Sequence, residues 1–590
     1  MYCLYHETVE CILQCMLDTV CQVRETVNDS RPLLRLPIEV LCEIMAHIPT
    51  AVYDGLEFRT IKDRSVWRSE YRDTAMILPI SQSCKKLRRI ALECPSLWTS
   101  ITTDRASSNY PRIFAERSQG LPLYICLPSI SRGKRSTLVL DCFTDDITSR
   151  AQDILIGDLP RRDTDNVMRN LLRKPLPVLE SLAIRCRDNL ETVSAGYACQ
   201  LHLTKEYAPR LTRLYLSSID IALTDITASL THLALRDLDV TNVHIIVNNI
   251  LSACRCLESL HLEALTDPSQ LRPAPELHLP TPSALATLNR LRHAVIKNMH
   301  GYLASYFLSL ILSDQPELVL QVLHIWTAPI PPVPLPLLQD VANLAIGRYP
   351  RLRGGPSYAP FIWGLTASGP KHTLRMTCHT VDFPIDTPHS EVQPLLRDSE
   401  MLAGVRELWL VDASCSRKGD TLPVAPDAET LLRFIVADME SLETVVLVEE
   451  SQAQWARAAP PSLRLLPDGH DPDSCAPFLT TLRIIHGYSS SLDNSARSTG
   501  MQCPKGIDDV LDLSVVLDDL ASGAYNYLKH LFIEVPRREL VTEEQLEALR
   551  SYFSTVQVSV ADQAPIMELP DYCTEPYAWP DRRPWPYSCW

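Results

Sequence analysis

A phrase of the form L-x-x-L-x-L, with aliphatic swaps, recurs ten times in this chain. It appears as Leu179/Leu182/Ile184, Leu211/Leu214/Leu216, Leu230/Leu233/Leu235, Leu257/Leu260/Leu262 and Leu291/Ala294/Ile296. It continues as Leu320/Leu323/Ile325, Val405/Leu408/Leu410, Leu442/Val445/Leu447, Leu479/Leu482/Ile484 and Leu528/Leu531/Ile533. The last two apolar positions of each phrase are two apart, so they share one face of a strand. No such strand buries its apolar face alone, and stacking it on similar neighbours does so. At 590 residues the chain is also too long for one ordinary core. Segments such as 243–253 and 429–439 read as helices before their strands. The expected fold class is therefore mixed α/β, with strands and helices alternating along 102–561.

The pattern resembles the leucine-rich repeat, which implies a solenoid of parallel strands and helices. The spacing is irregular and the asparagine ladder usual in that family is missing. An ordinary α/β domain with leucine-rich strands is the alternative. The remaining elements are read locally. Residues 110–127 give a helix, a stop at Gly120 and a strand over 123–127, and 165–174 gives a second helix. Thr542 and Gln545 form a capping box for a helix running to Phe553, and 556–560 closes as a strand. The stretch 328–336 has PxxP spacing, read as a stiff turn ahead of a peptide ligand. The stretch 353–372 is a degenerate repeat or a loop. From 562 to 590 the tail is rich in proline and tryptophan and either caps the array or stays extended.

Two apolar stretches stand near the start. In 36–49, Ile38, Leu41, Ile44, Met45 and Ile48 recur at helical spacing, with Pro37 at the helix start. In 77–101, Ile80, Cys84, Leu87 and Ala91 keep that period with Lys85, Lys86, Arg88 and Arg89 opposite, which predicts one helix ended by Pro95. "LPIEVLCEI" followed by "CKKLRRIALECPSLW" resembles the F-box, most of all the F-box proteins of mushroom-forming fungi. The resemblance covers 34–101. Three positions depart from it: Met45 replaces an aromatic, Leu87 a tryptophan and Ser83 a valine, each trimming apolar contact. The division expected is an amphipathic helix over 1–31, either a partner helix or, by preference, one packed on the F-box, then an F-box over 32–101 with an inserted loop 50–76, the repeats, and the tail.

That resemblance implies a function. The chain would be the substrate-recognition subunit of a Skp–cullin–F-box ubiquitin ligase, not itself an enzyme. Leu36, Pro37, Leu41, Ile44, Met45, Cys84, Leu87, Leu97 and Trp98 match positions that bind the adaptor or hold the module together. The cullin would be reached through the adaptor. A repeat scaffold for protein–protein interaction, without a ligase role, is the second reading, and an enzyme is a distant third.

The residues show no catalytic motif of the GxSxG, HExxH or Walker type. The acidic 468–473 lacks the glycine and distal glutamate of a calcium loop. The 19 cysteines include no CxxC, so reduced thiols are expected and no metal or other cofactor. A formal net charge of −15 gives no electrostatic reason for nucleic-acid binding. No apolar run is long enough to span a membrane and the start has no basic leader, so cytosol or nucleus is expected.

Side-chain alternation points certain residues away from the apolar interior of the repeats. In the first six these include Arg185, Arg213, Tyr215, His232, Arg236, His261, Lys297, His324 and Trp326. Four fixed cations and four histidines there face Glu263 alone. Either this is ordinary solvated surface, or it binds an acidic or phosphorylated protein segment. In the last four repeats Trp409, Val411, Val446, Val448, Ile485 and Phe532 take these positions. They form an apolar binding face or lie beneath another element.

Overall fold

The structure is a computed structural model. It describes residues 2–48, 74–102, 110–127, 144–160, 174–187, 200–217, 220–223, 227–238, 254–264, 288, 290–299, 304, 307–308, 318–326, 341–350, 361–379, 402–412, 436, 438–449, 463, 466, 478–486, 511–561, 565, 567 and 569. Among these are eight α-helices and nineteen strands, seventeen of the strands in mostly parallel sheet. The fold is mixed α/β. It comprises two compact units, Met1–Leu235 and Arg236–Trp590.

The first unit opens with α1 (Tyr2–Asp29). A 3-10 turn over Pro32–Arg35 leads to α2 (Ile38–His47). A second 3-10 turn, Thr74–Met76, precedes α3 (Ile77–Ser81) and α4 (Lys85–Glu93), and Pro95–Trp98 forms a third. The single helix expected over 77–101 is thus two. The chain is extended at Cys84 (φ −154°, ψ 161°), whose Sγ caps α4 by accepting the Leu87 N–H at 3.5 Å. The hydroxyls of Ser81 and Ser83 bond back to the carbonyls of Leu78 and Ile80, closing α3. Short polar side chains that compete locally for backbone groups end helices in this way. Most of the insert 50–76 lies outside the described residues, and its last three residues already form the 3-10 turn.

The strands follow: β1 (Ser100–Thr102), β2 (Leu123–Leu127), β3 (Ala151–Pro160), β4 (Ser181–Arg187), β5 (Gln200–Leu203), β6 (Arg213–Ser217), β7 (Asp220–Leu223) and β8 (His232–Leu238). β5 and β7 pair by themselves. The others stack in parallel in the order β1, β2, β3, β4, β6, β8. Their registers align Ile101, Ile125, Ile154, Leu182 and Leu214 in one fully buried row. Leu127, Ile156, Ile184 and Leu216 form the next row on that face. These rows form a stacked apolar core of parallel strands, and it contains Leu182, Ile184, Leu214 and Leu216 of the first two phrases.

Helix α5 (Tyr110–Arg117) ends where Gln119 and Gly120 take positive φ, the turn expected at Gly120. α6 (Asp145–Ser149) precedes β3. The Arg150 guanidinium fastens α5 to β2, donating to the carbonyls of Ala115 and Leu121 and to Ser118 Oγ. The helix expected over 165–174 lies outside the described residues save Lys174.

In the second unit the strands are β9 (Ser259–Ala264), β10 (His293–Lys297), β11 (Leu318–Trp326), β12 (Asn343–Pro350), β13 (Phe361–Ser368), β14 (His372–His379), β15 (Glu407–Asp412), β16 (Thr444–Glu449), β17 (Thr481–His486), β18 (His530–Val535) and β19 (Thr555–Val560). The last two apolar positions of all ten phrases of the chain fall on strands. The parallel solenoid reading needs correction in the middle. β11 pairs in parallel with β14, and β12 with β15, while β13 runs antiparallel between β14 and β12. The spatial order is therefore β11, β14, β13, β12, β15. The stretch 353–372, read as a repeat or a loop, contains this reversed strand.

The phrase at Leu320/Leu323/Ile325 is also displaced. Ala294 faces Leu320 and Ile296 faces Val322, so Leu320 and Val322 occupy the core register. Alternation counted from Leu323 and Ile325 alone would put Val322 on the opposite face. α7 (Ser514–Ala521) and α8 (Glu543–Arg550) flank β18 in the sequence. The Thr542–Gln545 capping box is present, but α8 ends before Ser551, short of Phe553. The PxxP stretch 328–336, the helix 243–253 and the acidic turn 468–473 lie outside the described residues, as does most of 429–439.

Candidate docking surface

The helical module is built around Trp98. Its indole is fully buried, and Nε1 donates to the Ala91 carbonyl of α4 at 2.6 Å. Phe114 of α5 packs on it, with ring centroids 5.5 Å apart, and the Arg117 guanidinium lies 4.4 Å over its face. Leu41, Met45 and Leu97 are buried as well. Lys86 Nζ donates to the Leu34 carbonyl, tying α4 to the turn before α2. Thr74 Oγ1 donates to the Ser100 carbonyl at 2.7 Å, fastening the module to β1.

The nine matched positions thus divide. Leu41, Met45, Leu97 and Trp98 are internal, and Met45 fills its place without an aromatic ring. Cys84 is a helix cap, half-buried like Leu36 and Leu87. Pro37 and Ile44 are exposed, together with Leu33, Ile38 and Val40. Helical spacing places Val40 and Ile44 one turn apart on α2. Val40 was not singled out in the sequence, because it falls outside the phase of the buried residues Leu41 and Met45. Its signal was its β-branched apolar side chain on a helix side with no core partner.

α1 differs from expectation. Packing on the module would cover its apolar stripe, yet Val9, Ile12, Leu13, Met16, Leu17, Val20, Val23 and Val27 are all exposed. Glu25 does bind Lys85 of α4 at 2.5 Å, which raises the lysine's pKa, first through that hydrogen bond and then through its charge. The junction is polar, and the stripe faces elsewhere.

The sheet face proposed for substrate is more covered than alternation alone suggests. In the first unit the row Cys126, Leu155, Ala183, Tyr215 is buried although it opposes the stacked core. Parallel sheets are typically covered on both faces, and these small or apolar residues suit that. Tyr215 is therefore interior. Arg185, Arg213 and His232 are half-exposed. Arg185 pairs across from Ser217 and Arg213 from Ser181, so the two arginines sit at opposite ends of the ladder. Thr231 and His232 donate to Thr212 O as Thr212 and Arg213 do to Glu180 O, so His232 shares the level of Arg213.

In the second unit Glu263 collects the remaining charges. Arg236 Nε binds its Oε2, and Lys297 Nζ and Asn298 Nδ2 approach Oε1 at 3.3 and 2.8 Å. His261 Nε2 lies 3.5 Å from Oε2 and is itself buried. Burial alone would raise the Glu263 pKa. The hydrogen bond from His261 and the charges of Lys297, Arg236 and His261 outweigh it and hold the carboxyl well below the usual range. The acid counted as one exception to a basic stripe is its hub, and it neutralises part of that stripe. The side chains of His324 and Trp326 lie outside the described ones.

Toward the C-terminus the apolar face is occupied. Ala345, Trp409, Val446 and Ile485 form one cluster with Met567, and Val448 and Leu569 pack against it. Residues of the tail therefore lie on the sheet, and Trp409 is buried beneath them. Arg483, whose guanidinium lies 5.7 Å from the Trp409 ring, binds Glu534 at 2.6 Å. Trp579, Trp585 and Trp590 lie outside the described residues.

Among the described residues no cluster of histidine, cysteine and carboxylate side chains is placed to hold a metal ion. Cys254 is a buried thiol pushed up to about 12, chiefly by burial and then by Cys256, so it stays protonated. No described helix is long and apolar enough to cross a membrane. No protein-family model matches the chain, and no curated protein matches it.

Proposed function

We propose that this chain is the substrate-recognition subunit of a Skp–cullin–F-box ubiquitin ligase. The observation that carries the reading is the module closed by Trp98. Its ordered "LP…PSLW" residues make an internally packed helical unit, which leaves Pro37, Val40 and Ile44 on one exposed apolar helix side. A preformed apolar surface on a short helix suits a groove in a partner. In this reading Pro37, Val40 and Ile44 touch the adaptor, with Leu36 and Leu87 at the edge. The buried residues act by holding α2 and α4 together. Ubiquitin transfer belongs to the partner subunits.

The substrate is proposed to be a protein with an acidic or phosphorylated segment. Arg213 and His232 at one level, with Arg185 at the far end of β4, present half-exposed basic groups to it.

The test is co-purification of the full chain with the Skp adaptor and a cullin. Val40→Glu with Ile44→Glu should abolish adaptor binding, since docking would bury unpaired charges. Both side chains are exposed, so folding should be retained. Failure of the unmodified chain to capture the adaptor, or undiminished capture by the double variant, would refute this docking mode.

A further inference from the structure

The exposed stripe of α1 has a stricter period than an amphipathic surface helix needs. Val9, Leu13, Met16, Val20, Val23 and Val27 are spaced 4-3-4-3-4. That is a heptad with Leu13, Val20 and Val27 at a and Val9, Met16 and Val23 at d. Ile12 and Leu17 widen it at g and e. All eight side chains are exposed, Leu17 by 59% and Met16 by 62%. The b, c and f positions carry Glu7, Gln14, Asp18, Gln22 and Glu25, as expected of a solvated back.

We infer that this helix is a dimerisation element, and that it pairs antiparallel with the same helix of a second copy of this chain. Charge selects the occupant and the direction. The e positions are Glu10, Leu17 and Arg24, symmetric about Leu17. In an antiparallel pair e faces e. Core layers of Leu13 with Val23, Met16 with Val20, and Val9 with Val27 then bring Glu10 opposite Arg24 of the second copy. Leu17 meets its own equivalent, and symmetry supplies a second Glu10–Arg24 pair. A parallel pair would set Glu10 against Tyr5 and Arg24 against Thr19, with no charge matched. Glu10 lies 3.5 Å from His6 on its own helix, and both are exposed. An anionic membrane is a poor occupant, because α1 carries Glu7, Glu10, Asp18, Glu25 and Asp29 against Arg24 as its one fixed cation. The inference does not rest on adaptor binding.

The test uses the full chain in sedimentation velocity and light scattering over a micromolar concentration series. The unmodified chain should give a particle of twice the 66.4 kDa chain mass. Val20→Glu puts a carboxylate in two core layers and should leave monomer. Arg24→Glu should raise the dissociation constant about tenfold by setting like charges opposite one another. Adding Glu10→Arg should restore it. A monomer at every concentration overturns the inference, and so does a dimer that survives Val20→Glu, which would use another face. A dimer weakened by both single reversals and not rescued by the double one overturns the antiparallel register. The apolar stripe faces away from the module, so circular dichroism of the variants should change only through α1.

Discussion

The tail gives the most direct check on how the second unit is built. Met567 is only 2% exposed, wedged among Ala345, Trp409, Val446 and Ile485, with half-buried Leu569 packed against the same cluster. Oxidation of the Met567 sulfur by peroxide therefore requires the tail to lift from the sheet, so the oxidation rate reads the population of that open state. Leu569→Ala removes part of the holding contact. A fully buried leucine loses about 2–5 kcal/mol on truncation, and a half-buried one roughly 1.5 kcal/mol, which corresponds to about tenfold more open tail. Two methionines of the first unit serve as references in the same digest. Met76 is exposed and should oxidise quickly in every variant, and Met45 is buried and should be indifferent to Leu569. Mass spectrometry of peptides after timed peroxide exposure should show Met567 sulfoxide forming about tenfold faster in Leu569→Ala, with both references unchanged. If Met567 oxidises as fast as Met76 in the unmodified chain, the tail does not cover the sheet. If Leu569→Ala leaves the Met567 rate unchanged, the packing assigned to Leu569 is wrong.

Three further outcomes follow from single side chains. Trp98→Phe keeps an aromatic ring but loses the five-membered part of the indole and leaves the Ala91 carbonyl without its donor, and should destabilise the helical module by about 3 kcal/mol, measured by hydrogen exchange in α4. Glu263→Gln leaves Arg236 and Lys297 facing a neutral group and should cost about 3 kcal/mol in exchange protection of β9, discounted for the partial exposure of both cations. Because the folded Glu263 pKa is depressed, its contribution is full above the unfolded carboxylate range, near pH 4.3, and disappears as pH falls through the lower folded value. Acid sensitivity of β9 should accordingly be weaker in Glu263→Gln. Thr542→Ala removes the capping box of α8 and should lower its exchange protection by about 1 kcal/mol.

What the sequence determined by itself is the set of features whose cause is local. An L-x-x-L-x-L phrase carries strand period and apolar content together, and the last two apolar positions of each of the ten lie on a strand. Thr542 caps α8 through a residue three positions away, and Gly120 ends its turn through its own φ. The described residues of 36–48 and 74–98 likewise form a compact helical unit. Tertiary structure decided whatever depends on which strand meets which. Leu320, Val322, Leu323 and Ile325 satisfy two overlapping apolar phases, and only the ladder to β10 chooses between them. The reversed strand β13 follows from pairing across four elements, for which no short phrase codes. Alternation placed Tyr215 and Trp409 on the face away from the stacked core. Alternation does not say whether that face meets water: Tyr215 is buried, and Met567, distant in sequence, lies over Trp409. Glu263 counted as one acid among cations until strand stacking brought Arg236, His261 and Lys297 to it. The heptad of α1 is the converse case. Its period is fully legible, but no described residue of the packed module covers it, since α1 meets α4 through the Glu25–Lys85 pair and leaves its apolar stripe exposed.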